Sequence, residues 1–391
     1  MRIGVDACCW SNRRGFGRFT RELLRAIIAA DRTNEYVFFV DQETAANNGL
    51  PRDVQLSVAA TRVSPMQAAS ASGRRSLRDL WALSRQVMKH DLDLFFFPAV
   101  YSFFPIFNRT RVIVTIHDMI ADHHPEAVFP SRRLQLFWKA KQYAAVRQSD
   151  LVLTVSDHSK RQIINYFRLP ERRVRVISEA SSAVFKSLPR DKQSEQVLSR
   201  YQIKADERFL LYVGGISPHK NLKVLIKAFQ QLVGNASFFN VRLVLVGDYK
   251  HDTFHSDYPQ LKQQLETLGI KDKVIFTGFV EDSDLVHIYN AASILVLPSL
   301  EEGFGLPVVE AMACGTPVVC SDRGSLPEVL GAAGRYFDPY QEQTLVRVLQ
   351  EVLGNDALRV EMSRSGLARS EEFRWEAVAR KTVSIFSEVA G

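Results

Sequence analysis

Residues 299–319 read SLEEGFGLPVVEAMACGTPVV and contain the strongest structural signals in the chain. The apolar run Ile294–Leu297 precedes them and predicts a buried strand. Gly303 and Gly305 permit a tight bend and a close approach of the backbone to a ligand, and Pro307 fits the first turn of a helix. We therefore predict a strand, a glycine loop and a helix whose free backbone N–H groups point at an anionic ligand.

Two carboxylates flank the start of this predicted helix, Glu302 in the loop and Glu310 within the helix. A carboxylate beside a phosphate is unfavourable on its own, whereas it suits the hydroxyl groups of a sugar or a ribose. The pattern therefore predicts a site for a sugar nucleotide. The alternative is an ordinary strand-loop-helix unit with two surface glutamates, which the flanking sequences GFGLP and ACGTPVV make much less favourable.

The two glutamates and the GFGLP sequence between them resemble the E-x7-E signature of retaining glycosyltransferases of family 4. This resemblance implies the GT-B fold, in which two Rossmann-like, doubly wound α/β domains face a central cleft and the last helix crosses back to the first domain. It also implies that Glu302 binds hydroxyl groups of the transferred sugar and that Glu310 binds the ribose. The loop residues implied to meet the donor are Gly303, Phe304, Gly305 and Leu306.

A second glycine loop follows the first predicted strand and reads RRGFGR over residues 13–18. Glycines before a helix N-terminus can approach a phosphate group closely. The loop does not match a dinucleotide-binding fingerprint, because it lacks the third glycine and is too long. It resembles the first-domain glycine loop of family 4, and this resemblance implies that Gly15 and Gly17 lie near the donor.

A predicted buried strand, Val112–Ile116, carries His117 at its carboxyl end. Ligands of doubly wound sheets bind beyond these strand ends. A lone histidine is often a hydrogen-bonded core residue, and this is the alternative interpretation. The family has a histidine at the end of the corresponding strand, and the resemblance implies that His117 contacts the transferred sugar.

The sequence VGGISPHKN, residues 213–221, opens the second predicted domain and places Lys220 at the start of a helix. An ammonium group there can neutralise the diphosphate that leaves during sugar transfer. The matching family motif also has an arginine, and Gly215 stands at about its position, so only Lys220 matches. Gly215 is expected to lie beside the donor, and His219 or Arg18 would supply the missing charge.

The remaining motifs concern the nucleotide base and metal binding. Phe279 and Val280 follow a predicted strand and resemble the family segment that contacts the base. Two Asp-x-Asp pairs, at residues 91–93 and 282–284, could hold a divalent ion in a transferase of another fold. The pair at 91–93 precedes a strand and the pair at 282–284 resembles a helix cap, so we predict a metal-independent enzyme without a cofactor.

The length and the pattern of the chain predict two domains. It has 391 residues, more than one core of ordinary size accommodates, and apolar runs alternate with helical stretches throughout. We place an acceptor-side domain at residues 1–186, a polar linker at 187–207 and a nucleotide-sugar-binding domain at 208–370. Residues 371–391 are predicted to form a helix that packs back on the first domain.

The net charge of +7 favours anionic partners. Helical segments near Trp81 and Trp138 combine basic and apolar residues, which predicts either contact with a membrane surface or ordinary packing on the core. The sequence has no apolar run of membrane-spanning length, no signal-peptide pattern and no nucleic-acid-binding motif. Four cysteines without metal-ligand spacing indicate reduced thiols. We expect a cytoplasmic protein, associated with the inner face of the membrane if these helices bind lipid.

These motifs together predict a retaining hexosyltransferase. Family members with the VGG…KN opening often use GDP-mannose, so the resemblance implies transfer of mannose to a growing, lipid-linked saccharide. UDP-glucose, UDP-galactose and UDP-N-acetylglucosamine are alternative donors. The alternative classes are an epimerase or phosphorylase of the same fold and a non-catalytic nucleotide-sugar-binding subunit.

Overall fold

The computed structural model describes residues 1–12, 15–46, 49–63, 76–129, 131–249 and 256–391. Arg13 and Arg14 of the first predicted glycine loop lie outside the described residues. The described residues form two compact units. Unit 1 comprises Met1–Glu179 and Arg374–Gly391, and unit 2 comprises Ala180–Phe373.

Unit 1 contains a seven-stranded sheet in the order β3-β2-β1-β4-β5-β6-β7, with every neighbouring pair parallel. The order reverses between β1 and β4, and ligands of doubly wound sheets bind at such a point, beyond the carboxyl ends of the strands. The strands are β1 (Arg2–Asp6), β2 (Glu35–Asp41), β3 (Gln55–Ala59), β4 (Leu94–Phe97), β5 (Arg111–Thr115), β6 (Leu151–Thr154) and β7 (Val174–Val176).

Helices cover the sheet of unit 1. They are α1 (Gly15–Ala30), α2 (Gln42–Ala45), α3 (Leu77–Val87), α4 (Ile120–His123), α5 (Pro125–Val128), α6 (Arg132–Gln148), α7 (Asp157–Phe167) and, near the end of the chain, α16 (Trp375–Ala390). The central strand β4 has no exposed side chain, because both faces of a parallel sheet are covered. Serine side chains accept backbone N–H bonds at the starts of α3, α6 and α7, which explains where these helices begin.

Unit 2 contains a six-stranded parallel sheet in the order β10-β9-β8-β11-β12-β13. Its strands are β8 (Phe209–Val213), β9 (Arg242–Val246), β10 (Val274–Gly278), β11 (Ile294–Leu297), β12 (Val318–Ser321) and β13 (Arg335–Phe337). Its helices are α8 (Lys192–Arg200), α9 (Leu222–Val233), α10 (Tyr258–Thr267), α11 (Asp282–Ala291), α12 (Leu306–Ala313), α13 (Leu326–Leu330), α14 (Glu342–Gly354) and α15 (Asp356–Ser370). The predicted fold class, two doubly wound α/β domains, is thereby confirmed.

The last helix, α16, belongs to unit 1 and packs on α1 and β4. Phe386 is fully buried, and its ring centroid lies 5.1 Å from that of Phe96. At the start of the helix, the ring of Trp375 meets that of Phe19 at 5.8 Å. These aromatic contacts fix the final helix to the first unit.

The boundaries differ from the predicted ones. Unit 1 ends its first segment at Glu179, before the predicted boundary at residue 186. The segment predicted as a linker, residues 187–207, belongs to unit 2 and contains α8. Its polar composition reflects one solvated helix face, since Val197 and Leu198 on the other face are buried. Asp191 caps this helix by accepting a hydrogen bond from the Ser194 backbone N–H at 2.8 Å.

The packing of α16 predicts the effect of a truncation in the core. We expect Phe386→Ala to lower the free energy of unfolding of unit 1 by about 3–5 kcal/mol, because a buried aromatic side chain leaves a cavity. All four tryptophans, Trp10, Trp81, Trp138 and Trp375, lie in unit 1, so tryptophan fluorescence during urea unfolding reports on this unit. The control is Glu388→Ala on the exposed face of the same helix. Equal stability of the two variants would contradict the assignment of α16 to the core of unit 1.

Candidate functional site

The strand, loop and helix predicted from residues 294–319 are present in unit 2. Strand β11 ends at Leu297, and α12 begins at Leu306 with Pro307 in its first turn. Gly305 precedes the helix with φ of +94°, and a Cβ atom there would lie 2.6 Å from Leu326 Cδ2. Both the backbone angle and the space therefore require glycine at this position. The N-terminus of α12 has no side-chain cap, so its first N–H groups are not used by a capping residue.

The partly buried Lys220 and the buried Glu302 form an ion pair beside this loop. The Lys220 Nζ donates to both carboxylate oxygens of Glu302, at 2.7 Å and 2.9 Å. The Ser299 hydroxyl donates to Glu302 Oε1 at 2.7 Å. Glu302 is only 8% exposed. The structure thus brings together two residues that the sequence places far apart and that we predicted to serve one site.

The charge on Glu302 is set by opposing effects. Burial raises the pKa of its carboxyl, whereas the charge of Lys220, together with hydrogen bonds from Lys220 and Ser299, lowers it. The nearby charge of His219 lowers the pKa further, and the net pKa lies below the usual glutamate range. Glu302 is therefore an ionised hydrogen-bond acceptor at neutral pH.

The backbone of the glycine loop is held by a residue that the sequence did not single out. The Ser325 hydroxyl donates to the carbonyl oxygens of Glu302 and Phe304, at 3.1 Å and 2.8 Å. Ser325 and Ser299 are both fully buried. A serine shortly after strand β11 or β12 is a weak signal, because serine is common in such loops. Only the folded arrangement shows that these hydroxyls orient the Glu302 segment.

Glu310 lies within α12 and is only 1% exposed. Its Oε2 accepts a hydrogen bond from the buried Tyr289 hydroxyl at 2.8 Å. The ring of Phe185 meets Tyr289 edge-on, with centroids 5.6 Å apart. Glu310 therefore has a protein partner of its own and is not part of the Lys220–Glu302 pair.

The remaining predicted donor residues of unit 2 lie at strand ends. The Gly215 carbonyl accepts a hydrogen bond from the Tyr212 hydroxyl at 2.6 Å. Phe279, which follows β10, has an exposed side chain, whereas the next residue, Val280, is buried. An aromatic group of Tyr249, Tyr258 and Phe276 lies on neighbouring elements, and its two tyrosine rings stack 4.3 Å apart.

In unit 1 the predicted glycine loop is wrong over residues 15–18, because α1 begins at Gly15 and these residues form its first turn. A Cβ atom at Gly17 would overlap the carbonyl oxygen of Asn12. Gly17 is therefore required by the close approach of the two backbone segments. The ring of Phe16 stacks on that of Tyr101 with centroids 4.5 Å apart.

His117 follows β5, as predicted, and is 8% exposed. Its Nδ1 lies 3.3 Å from Glu179 Oε1, and its Nε2 lies 3.1 Å from the Pro98 carbonyl oxygen. The ring of Phe19 packs edge-on against the imidazole at 4.6 Å. Both ring nitrogens are engaged by the protein. Glu179 was not predicted, because a glutamate after the short strand β7 has no distinguishing sequence signal.

Metal binding has no structural support in the part of the chain that the structure describes. No group of three His, Cys, Asp or Glu residues is arranged there to hold a metal ion. Asp93 accepts a hydrogen bond from the Arg2 backbone N–H at 2.7 Å, and Asp284 accepts one from the Tyr201 hydroxyl at 2.8 Å. One aspartate of each Asp-x-Asp pair therefore has a structural partner.

The two basic helices differ from each other. Trp81 on α3 is 53% exposed, and its ring lies 5.6 Å from the exposed ring of Phe107. Trp138 on α6 packs on the protein, since it is 8% exposed and its Nε1 donates to Asp122. On the same helix α6, Phe137 has an exposed side chain. No helix among the described residues is long and apolar enough to cross a membrane.

Known proteins resemble this chain in sequence over most of its length. Residues 13–180 match the family described as Glycosyltransferase Family 4, and residues 193–369 match the family described as Glycosyl transferases group 1. The O-antigen chain mannosyltransferase B of Escherichia coli is 30% identical over 384 residues, which cover 95% of each chain.

Solved structures show the same fold. Sucrose-phosphate synthase from Thermosynechococcus elongatus has a TM-score of 0.74 and 19% identity, over 99% of this chain and 98% of its own. HepE from Anabaena, solved with UDP and glucose, has a TM-score of 0.73 and 20% identity, over 99% of both chains. The two-unit architecture is the GT-B fold of these enzymes. The chain therefore belongs to the glycosyltransferases of family 4, with a first half that matches the family 4 model and a second half that matches the group 1 model.

Proposed function

We propose that this glycosyltransferase moves mannose from GDP-mannose to a growing, lipid-linked saccharide and retains the configuration at the anomeric carbon. The observation that carries the proposed chemistry is the partly buried Lys220–Glu302 pair next to the uncapped N-terminus of α12. A cation, an ionised carboxylate and the N–H groups of a helix start are what a sugar diphosphate needs from a protein. The choice of mannose rests on the Escherichia coli mannosyltransferase, which matches almost the full length of the chain.

The proposed mechanism assigns each group a separate task. Lys220 stabilises the negative charge that develops on the departing diphosphate, together with the N–H groups of Gly303 to Leu306. His219 adds positive charge nearby, where the family motif has an arginine. Glu302 accepts hydrogen bonds from hydroxyl groups of the transferred sugar, while its contact with Lys220 keeps it ionised. The acceptor hydroxyl attacks the anomeric carbon from the face that the diphosphate leaves, and the diphosphate takes its proton.

The other proposed donor contacts lie on unit 2 and at the start of α1 in unit 1. Glu310 is assigned to the ribose, and a ribose hydroxyl would have to displace part of its present surroundings, because the carboxylate is almost completely buried. Phe279 and Val280 are assigned to the base through their backbone, and Gly215 to the diphosphate. Gly15 and Gly17 are assigned to the donor in unit 1. This mechanism uses neither a metal ion nor a cofactor.

The donor is tested by incubating the purified chain with GDP-mannose, UDP-glucose, UDP-galactose and UDP-N-acetylglucosamine, with EDTA present. We expect slow release of GDP from GDP-mannose and thermal stabilisation by GDP-mannose alone. A response confined to one UDP-sugar would replace the donor but keep the transferase mechanism. Binding without any turnover, also in the presence of a mannoside acceptor, would favour a non-catalytic sugar-nucleotide-binding subunit.

The role of Lys220 is tested in the same assay. We expect Lys220→Ala to reduce the rate of donor turnover at least about 100-fold, because it removes the main charge that stabilises the leaving diphosphate. Lys227→Ala, on the exposed face of the following helix α9, serves as the control and should turn over at the wild-type rate. A Lys220→Ala variant that folds and keeps wild-type turnover would rule out this assignment.

The lowered pKa of Glu302 predicts a pH-dependent stability. A carboxyl with a folded-state pKa below its unfolded value of about 4.3 stabilises the fold above that pH, and this stability is lost as the pH falls through the folded-state pKa. In Lys220→Met the burial of Glu302 is no longer offset, so its folded-state pKa rises. We expect the stability difference between wild type and Lys220→Met to be largest at neutral pH. It should shrink as the pH falls through the raised pKa of Glu302 in the variant and vanish below the lowered pKa of Glu302 in wild type. Calorimetry over this range measures it, with Lys227→Met as control, and a pH-independent difference would contradict the ionised pair.

We also propose that α3 contacts an anionic membrane from the cytoplasmic side. Helix α3 carries the exposed ring of Trp81 together with the exposed cations Arg78 and Arg85. The exposed ring of Phe107, which lies outside this helix, packs beside Trp81. Aromatic side chains at the headgroup level and cations near lipid phosphates form a typical interfacial pattern. Arg74 and Arg75, which precede this helix, lie outside the described residues.

Sedimentation with phosphatidylglycerol vesicles tests this membrane contact. We expect the wild-type chain to pellet at low salt, less so as salt rises, and the double variant Trp81→Glu, Phe107→Glu to stay in the supernatant. Phe239→Glu, a change at an exposed aromatic residue of unit 2, is the control and should pellet normally. Equal pelleting of both variants would place the contact elsewhere.

A further inference from the structure

A buried histidine–glutamate pair lies beyond the carboxyl ends of two strands of unit 1. His117 follows β5 and Glu179 follows β7, and His117 Nδ1 lies 3.3 Å from Glu179 Oε1. Glu179 is only 7% exposed. A carboxylate withdrawn from water to this degree is costly unless hydrogen bonds replace its hydration. The number of such bonds that the protein supplies therefore decides what else Glu179 can bind.

The contacts of His117 engage both nitrogens of its ring. The Pro98 carbonyl oxygen is only an acceptor, so the Nε2 atom that lies 3.1 Å away donates to it. The Nδ1 atom lies 3.3 Å from the carboxylate oxygen Glu179 Oε1. Both ring nitrogens are thus occupied by protein acceptors. His117 has no ring nitrogen left for a substrate in this arrangement.

Glu179, in contrast, has an acceptor atom to spare. Its Oε1 faces His117, whereas its Oε2 has no hydrogen bond from the part of the chain that the structure describes and is not fully enclosed. A carboxylate oxygen in this state calls for a hydrogen-bond donor. A metal ion does not fit, because no group of three metal-ligating residues occurs among the described residues and the neighbour of Glu179 is a proton-bearing imidazole.

We propose that Glu179 is a saccharide-binding residue whose Oε2 accepts a hydrogen bond from a sugar hydroxyl group, and that His117 is the positioning residue that holds it. This proposal rests on the proposed transferase function, since the hydroxyl belongs to the transferred hexose or to the acceptor saccharide. Phe19 supports the arrangement by packing against the imidazole.

A conservative variant separates this role from a merely structural one. In Glu179→Gln, the amide oxygen can still accept the hydrogen bond from His117 Nδ1, so the position of the imidazole is kept. The second oxygen becomes an NH₂ group, which cannot accept a bond from a hydroxyl. If Glu179 only holds His117, the glutamine variant therefore behaves as wild type. If Oε2 binds a hydroxyl, the variant loses a charge-assisted hydrogen bond, and we expect an effect of about tenfold.

The experiment measures three constants for wild type, Glu179→Gln, Glu179→Ala and Glu171→Gln. They are the Kd of GDP, the Kd of GDP-mannose and the KM of methyl α-mannoside as acceptor. Glu171 is the control, because it is an exposed glutamate of unit 1 that forms a surface ion pair with Lys160. The wild-type values test the proposed function by themselves. The variants are compared with wild type, using whichever sugar nucleotide the wild type binds. A wrong donor assignment and a wrong role for Glu179 therefore give different results.

Two results support the proposal and one overturns it. A rise of about tenfold in the Kd of GDP-mannose for Glu179→Gln, with an unchanged Kd of GDP, assigns the hydroxyl to the transferred hexose. A similar rise in the KM of methyl α-mannoside, with both Kd values unchanged, assigns it to the acceptor. If Glu179→Gln matches wild type and Glu171→Gln in all three constants, Glu179 is structural and the proposal is wrong. Unfolding temperatures of all variants show whether the alanine change acts through the fold.

Discussion

A charge pair between two distant strand–helix junctions constrains unit 2. Lys220 precedes α9 and Glu302 precedes α12, and the buried charge of Glu302 depends on its contact with Lys220. The pair forms only if β8 and β11 lie side by side with both carboxyl ends at one edge, which is their arrangement in the sheet. Ser299 and Ser325 then fix the loop between them. Because these contacts fix the loop, Gly305 and the uncapped start of α12 can serve as a ligand-binding site.

The sequence predicted secondary-structure elements and their ends better than it predicted contacts between side chains. Apolar runs such as Ile294–Leu297 predicted strands of both sheets, and Gly305 with Pro307 located the start of α12. Side-chain pairing was not predictable in the same way. The contacts of Tyr289 with Glu310 and of Glu179 with His117 depend on how separate elements meet in space, and no local pattern encodes this. The polar segment around α8 was misjudged for a related reason, since a short amphipathic helix and a solvated linker have similar compositions.

The buried carboxylates Glu302 in unit 2 and Glu179 in unit 1 are stabilised by different partners. Glu302 is paired with a lysine that contacts both of its oxygens, and a serine adds a further hydrogen bond. Glu179 is paired with a histidine that contacts one oxygen only. The first carboxylate is nearly saturated by protein donors, whereas the second retains a place for one more. This difference explains why Glu302 lies in a recognisable sequence motif and Glu179 does not, because a carboxylate with several protein partners needs particular residues around it.

The assignment of α16 to unit 1 has a consequence for how the chain folds during synthesis. Residues 180–373 are made before residues 374–391, so all of unit 2 leaves the ribosome while unit 1 still lacks the helix that covers Phe96 and Phe19. Unit 1 therefore keeps an open apolar surface until residues 374–391 have emerged, although its sheet is made first. Domains usually fold in the order of their synthesis. In this chain the second unit can be complete before the first.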